Sequence, residues 1–194
     1  ISHYTISMKT FSVFFTFIFW SHIILAQTDL HKNALSYYVK VTNNTKDSYF
    51  SMSSSAQILT NYTSIASQTE SFKLDDLRLD TFKKSLPLLI SALELNMIKL
   101  DSIIEIDSAI SLKDSVKSIY KDAIVAFNKI FPKFITIFEL GFKSTSKEEI
   151  SNYWNEFQNA MTSISEKLDT LKKNTSIFLT KYDLKDTELK QNGL

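Results

Sequence analysis

The C-terminal part of the chain carries one unbroken apolar stripe at helical spacing. Its positions follow one another at alternating steps of four and three residues, and Thr175 is the one weak position. The apolar members are Ile150, Trp154, Phe157, Met161, Ile164, Leu168, Leu171, Phe178 and Tyr182. This spacing keeps one face of an α-helix against a partner, as in coiled-coil packing. The sequence predicts a helix of roughly 50 Å, at 1.5 Å per residue, packed against either the same chain or a second copy in a homodimer.

Local signals mark where this helix and its neighbours begin and end. Gly141 is a natural helix stop, and Ser146 followed by Glu149 has the spacing of a capping box. Upstream, Ser111 opens a second long apolar-periodic segment, which Pro132 must kink or break.

The N-terminal half predicts further helices. A third segment runs from near Asp75 to Ile104, with a break expected at Pro87. Before it, Leu30 to Val41 favours a short helix and Asp47 to Ser71 a longer one, joined by a polar loop.

The scarcity of turn formers sets the fold class. After residue 26 the chain holds two glycines (Gly141 and Gly193), two prolines (Pro87 and Pro132) and no cysteine. A β-sandwich or barrel needs many more turn residues, and a fold without disulfides must be held by packing alone. We expect an all-α antiparallel bundle of four to five helices around a shared apolar core.

Two stretches resemble each other at an offset of 45 residues. Residues 82–95 read FKKSLPLLISALEL and residues 127–140 read FNKIFPKFITIFEL, with six identical positions and the prolines in register. The pattern predicts either an internal helical repeat of about 45 residues or two amphipathic helices that are alike by composition alone.

The N-terminal sequence predicts export. Met8 to Ala26 has a basic residue, Lys9, followed by an apolar run and a small residue before Gln27, which is the layout of a secretory signal peptide. We expect residues 1–7 to be an upstream leader outside the fold, residues 8–26 to be the signal peptide, and residues 27–194 to form a single secreted, extracellular helical domain.

Three sequons follow the predicted signal peptide. They begin at Asn43, Asn61 and Asn174. In an exported protein of a eukaryote these are acceptors for N-glycosylation. Asn43 is the best candidate, because the surrounding VTNNTKDS reads as a polar loop, whereas Asn61 and Asn174 would need exposed helix faces.

The charge balance excludes one class of partner. Removing residues 1–26 removes Lys9 and no acidic residue, so 21 basic and 21 acidic residues remain. Binding to nucleic acid draws on a basic surplus, and Arg78 is the single arginine. We therefore expect no nucleic-acid partner.

The residues needed for catalysis are scarce. His31 is the one histidine after residue 26, and near the new N-terminus we expect it to be a solvated surface residue. Without cysteine, a zinc site of the usual type is excluded. Carboxylates remain, including Asp101 and Glu105 one turn apart, but they read as helix-end and surface charges. We expect no catalytic residue, no metal site and no cofactor, and hence no enzyme.

A cluster of large aromatic residues surrounds Pro132. The simplest interpretation is a phenylalanine-rich core. The alternative is an apolar cavity that binds a lipid, with Phe134, Phe138, Trp154 and Phe157 as the ligand-contacting residues.

The leader MKTFSVFFTFIFWSHIILA, the three sequons and the all-helical body resemble the secreted antigenic glycoproteins that parasitic nematodes release. The phrase IFPKFITIF is similar in kind to helical fatty-acid and retinol carriers of nematodes, and insect apolipophorin-like bundles are also similar. The first likeness implies a non-enzymatic glycoprotein that meets an extracellular protein or cell-surface partner, as an antigen or host-interaction factor. The second implies a carrier of fatty acid, retinoid or another small apolar ligand.

Overall fold

The computed structural model describes residues 8–68, 76–140 and 145–194, and the described residues are helical with short connections and no strand. The helices are α1 Met8–Gln68, α2 Asp76–Asp101, α3 Leu112–Lys129, α4 Phe131–Leu140, α5 Lys147–Lys181 and α6 Asp186–Gln191. The predicted all-α class and long C-terminal helix are confirmed. Among the described residues, no helix combines the length and the hydropathy that crossing a bilayer requires.

Helix α3 is the centre of the bundle. It packs against α1, α2, α4 and α5. Its buried residues are Leu112, Val116, Ile119, Tyr120, Ala123, Ala126 and Phe127. Because they recur at steps of three, four and one, they cover a face broad enough to contact helices on both sides.

Helix α4 closes one end of the core with phenylalanine side chains. The helix is interrupted at Ile130, between α3 and α4. Pro132 lies in the first turn of α4, where a backbone N–H would have no helical acceptor, so the N–H that proline lacks costs no helical hydrogen bond. Phe131 contacts Phe127 with ring centroids 4.7 Å apart, and it also contacts Phe157 of α5 at 6.0 Å. The predicted break near Pro132 is confirmed.

Helix α5 directs its predicted stripe at the rest of the molecule. Phe157 and Phe178 are buried, while the members between them are half-buried and packed against the core. At its start the Ser146 hydroxyl accepts from the Glu149 backbone N–H at 3.1 Å, as predicted. The Glu149 carboxylate instead accepts from the Tyr153 hydroxyl at 2.8 Å.

Helix α1 differs from the prediction, because it is continuous where a loop was expected. Tertiary contacts stabilise the polar stretch around Asn44 as a helix. Asn44 Nδ2 donates to the Asn96 backbone carbonyl at 3.3 Å, and the Asn44 backbone carbonyl accepts from the Tyr120 hydroxyl at 3.2 Å. Ser48 Oγ accepts from Asn96 Nδ2 at 2.5 Å. These bonds to α2 and α3 outweigh the low helix propensity of Asn, Ser and Thr. The backbone of predicted signal residues 8–26 belongs to α1, and leader residues 1–7 lie outside the described residues.

The expected break at Pro87 is also wrong. Helix α2 runs through Pro87. Lys83, whose carbonyl loses its donor at Pro87, lies on the exposed face with it, where water can serve that carbonyl. The two similar stretches contact each other: Phe82 stacks on Phe131 at 5.9 Å, and Lys83 pairs with Glu139. Their common origin as a repeat stays a prediction.

Helix α2 ends earlier than predicted, at Asp101, so that Asp101 and Glu105 do not share a helix face. Glu105 lies in the α2–α3 loop, where its carboxylate accepts from the backbone N–H groups of Ile106 and Asp107 and from the Ser111 hydroxyl. The Tyr37 hydroxyl of α1 donates to the same carboxylate at 2.8 Å. Glu105 therefore fastens the loop to α1.

Candidate functional site: a groove between two helices

A long open groove runs between α1 and α5, with α3 as its floor. We call it the α1–α5 groove. Its larger compartment has a volume of about 780 Å³ and a second one has about 240 Å³, and Leu168 lines both. The α1 wall extends from Tyr38 to Thr60, which at 1.5 Å per residue is roughly 33 Å.

The groove arises because α1 and α5 both rest on α3 without closing over it. The floor consists of four α3 side chains, Leu112, Val116, Ala123 and Phe127. On α1, the wall residues recur at steps of one, three and four, as expected for one face of a helix. They are Tyr38, Val41, Thr42, Thr45, Tyr49, Met52, Ser53, Ala56, Gln57 and Thr60.

The lining combines apolar side chains with hydroxyl groups. Leu168, Leu171 and Leu179 of α5 face the larger compartment, together with Thr175 and Ser176. Its charged lining residues are Lys172, Asp183 and Asp186. The Asp169 carboxylate accepts from Lys172 Nζ at 2.9 Å and thereby raises the pKa of that lysine. A mostly apolar cleft of this size, with a few polar groups, is the usual form of a small-ligand site.

Aromatic packing joins α1 to α5 at one end of the groove. Phe178 is fully buried, and its ring lies 5.5 Å from that of Tyr37, 6.2 Å from that of Tyr38 and 4.6 Å from that of Tyr182. Tyr38 also lines the larger compartment. The groove therefore ends at a rigid aromatic contact.

The C-terminal segment forms the wall beside this aromatic contact. Asp183, Leu184 and Asp186 line the groove there. His31 of α1 holds this segment: its Nδ1 lies 2.8 Å from the Tyr182 carbonyl, and its Nε2 lies 2.9 Å from Glu188 Oε1. The bond to Glu188, followed by that to Tyr182, raises the pKa of His31. The expectation of a solvated surface histidine is therefore wrong.

Two carboxylates of the α2–α3 region, the buried Asp107 and the exposed Asp101, form ion pairs with lysine side chains. Asp107 is 7% exposed, and its Oδ2 accepts from Lys181 Nζ at 2.6 Å and from the Tyr182 hydroxyl at 3.1 Å. Lys181 holds the pKa of Asp107 below its usual value. Asp101 pairs with Lys117, which likewise lowers the pKa of Asp101. Both carboxyl groups are therefore ionised at neutral pH.

The four aromatic residues predicted to contact a ligand come together. Phe134 lies 6.4 Å from Phe138, 6.3 Å from Trp154 and 6.2 Å from Phe157, measured between ring centroids. Phe134, Phe138 and Phe157 are almost completely buried in this cluster. Phe157 also lines the smaller compartment of the groove, together with Met161.

The sequons occupy different environments. Asn43 is exposed on α1, but in a helix rather than the expected loop. Asn174 is half-buried, and its Nδ2 donates to Ser115 Oγ of α3 at 3.3 Å. Asn61 belongs to α1, and its side chain lies outside the described part of the structure.

Sequence reasoning missed the α1 wall of the groove. The wall residues recur at steps of one, three and four from Tyr38 to Thr60, but four of the ten are Thr or Ser, which hid the wall from a search for an apolar pattern. In the described part of the chain, no three His, Cys, Asp or Glu side chains are grouped as a metal site would require. Comparison of the chain with protein-family models, curated protein sequences and solved structures finds no match.

Proposed function

We propose that this protein is a non-enzymatic extracellular carrier, whose α1–α5 groove binds a small single-chain apolar ligand such as a fatty acid or a retinoid. The observation that carries the proposal is the groove itself, with its apolar floor and its open side. Export, N-glycosylation and the likeness to secreted nematode glycoproteins are parts of the proposal that rest on the sequence patterns of residues 8–26 and the three sequons.

The dimensions of the groove suit one acyl chain. One extended acyl chain spans one leaflet of a bilayer, which is half of a hydrocarbon layer of about 30 Å. The groove, at roughly 33 Å, is therefore longer than one extended acyl chain. The volume of the larger compartment, about 780 Å³, is within the range of roughly 300–1,000 Å³ for small-ligand sites. The hydroxyl groups of Thr42 and Thr175 offer partners for a polar head group, whereas the Thr45 hydroxyl already donates to the Thr42 carbonyl at 2.7 Å.

A titration with a fluorescent long-chain fatty acid tests the proposal. Thr175→Trp places an indole in the larger compartment, and we expect it to weaken binding about tenfold, equivalent to ~1.4 kcal/mol. Lys173→Trp is the matched control, because Lys173 is exposed on the same helix and does not line the groove. Equal affinities for both variants and the wild type would show that the ligand does not enter the groove.

A second candidate function is the extracellular interface itself, in which the protein meets a cell-surface partner as an antigen or host-interaction factor. It is favoured by an apolar stripe on the outer face of α2, where Leu88, Leu95 and Ile98 are 72%, 51% and 66% exposed. Exposed apolar patches mark interaction surfaces. Binding of the labelled protein to cells that is lost in Leu95→Lys, but kept in Asn159→Lys at an exposed position of α5, would favour this function over the carrier.

A further inference from the structure

A second, polar groove lies on the opposite side of α1, at its seam with the end of α2. It has a volume of about 520 Å³. Its lining residues are Val39, Lys40, Asn43, Asn44, Asn96, Lys99, Ser102 and Ile103. Among the described residues no acidic side chain lines it, and neither the Lys40 nor the Lys99 ammonium group has a hydrogen-bond or ion-pair partner.

We propose that this polar groove is the seat of an N-linked glycan on Asn43, and that the first sugar packs along the α1–α2 seam. Asn43 is the acceptor of a sequon, and it also lines the groove. The proposal rests on the export and N-glycosylation that are part of the proposed function, and it is independent of whether the α1–α5 groove binds a lipid.

The chemistry of the lining matches a sugar. The ammonium groups of Lys40 and Lys99 donate to hydroxyl oxygens and to the carbonyl of an N-acetyl group. Val39 and Ile103 are half-buried and provide apolar surface for the C–H face of a pyranose ring. Because the sugar is tethered at Asn43, its effective concentration makes individually weak contacts sufficient.

The attachment is a complete group transfer. Asn43 Nδ2 forms a bond to C1 of the first sugar of a lipid-diphosphate-linked oligosaccharide as the bond from C1 to the diphosphate oxygen breaks. The lipid diphosphate is the leaving group, and it takes up the proton that the amide loses. Asn43 keeps one N–H. Transfer precedes folding, so the helical backbone at this position is not an obstacle.

The other described sequon lacks such a seat. Asn174 is half-buried between α5 and α3, where its Nδ2 already donates to Ser115 Oγ. A sugar on Asn174 would have to displace this hydrogen bond.

Hydrogen exchange of the protein secreted from eukaryotic cells tests the proposal. The glycans are trimmed to a single sugar, and occupancy of Asn43 is read from the mass of its peptide. We expect backbone amides of residues 96–103 to exchange about fivefold more slowly with the sugar than in Asn43→Gln, the factor that one ordinary net hydrogen bond produces.

Two controls distinguish an effect of the sugar on hydrogen exchange from an effect of the Asn43→Gln substitution itself. In protein made in bacteria, which carries no glycan, wild type and Asn43→Gln should exchange alike. In the glycosylated protein, Lys99→Ala should lose the protection, while Lys129→Ala on α3 should keep it. An unoccupied Asn43, or an occupied Asn43 with unchanged exchange at residues 96–103, would overturn the proposal.

Discussion

His31 Nε2 lies 2.9 Å from Glu188 Oε1, and this contact joins α1 to the C-terminal helix α6. The other ring nitrogen, Nδ1, lies 2.8 Å from the Tyr182 carbonyl. A carbonyl and an ionised carboxylate only accept hydrogen bonds. Both contacts are therefore satisfied together only by the doubly protonated, charged imidazole.

The first prediction concerns the pH dependence of this contact. The pKa of His31 is raised above 6.5, so its contribution to stability is fully present below pH 6.5 and is lost as the pH rises through the raised pKa. Since His31 is the one histidine in residues 27–194, its imidazole gives a single set of NMR signals. We expect a titration midpoint above 6.5.

A pair of variants assigns the cause of that shift. Glu188→Gln should bring the midpoint back toward 6.5, because it removes the larger cause. Glu148→Gln, in the first turn of α5, should leave the midpoint unchanged. A wild-type midpoint at or below 6.5 would contradict the described geometry.

The second prediction compares the two prolines. Pro87 lies in the interior of α2 and Pro132 in the first turn of α4. Pro87→Ala restores a helical hydrogen bond, and we expect it to raise the free energy of unfolding by about 1–3 kcal/mol. Pro132→Ala should give no gain and lose up to about 1 kcal/mol, because proline restricts the unfolded chain. Denaturant unfolding measures both, and an equal change in the two variants would contradict the helix boundaries.

The third prediction concerns the end of α5. The Leu184 N–H bonds to the Leu179 carbonyl at 3.0 Å and the Asp183 N–H to the Thr180 carbonyl at 3.3 Å, which is a Schellman motif with Asp183 at φ 50°. Glycine adopts this left-handed conformation without strain. We expect Asp183→Gly to stabilise by about 0.5 kcal/mol and Asp183→Ala to destabilise by about 1 kcal/mol. Both variants remove the carboxylate, so thermal shifts of the same sign would refute the backbone explanation.

The fourth prediction concerns the aromatic contact that ends the groove. Phe178→Ala should lower the free energy of unfolding by about 3–5 kcal/mol, because it leaves a cavity among Tyr37, Tyr38 and Tyr182. Its neighbour Ile177 is 46% exposed, and Ile177→Ala should cost at most about 1 kcal/mol. Urea unfolding of the two variants tests this directly; comparable losses would mean that α5 has a different rotation about its axis.

The sequence predicted best those helices whose packing face is apolar. In α5 both fully buried residues, Phe157 and Phe178, belong to the predicted stripe, because a large apolar side chain in an exposed helix is most stable against another helix. Ser146 predicted the start of α5 for an equally local reason. A side-chain oxygen three residues before a free backbone N–H is sufficient to cap a helix.

The sequence predicted least well the features that depend on contacts between residues far apart in the chain. The continuity of α1 depends on bonds from Asn96 and Tyr120, which lie about 50 and 76 positions along the chain from their partners. The two bonds of His31 reach residues 182 and 188, which local pattern cannot indicate. The groove depends on how far apart α1 and α5 rest on α3. That spacing is a property of the assembled bundle.

Native mass spectrometry of the secreted, deglycosylated protein, followed by organic extraction, tests the carrier function most directly. We predict a mass above that of residues 27–194, an excess that extraction removes, and near-equimolar release of a single-chain lipid from the wild type and from Lys173→Trp. Thr175→Trp should carry much less. A bare polypeptide mass for all three proteins, with no ligand recovered, would contradict the assignment of the α1–α5 groove as a lipid site.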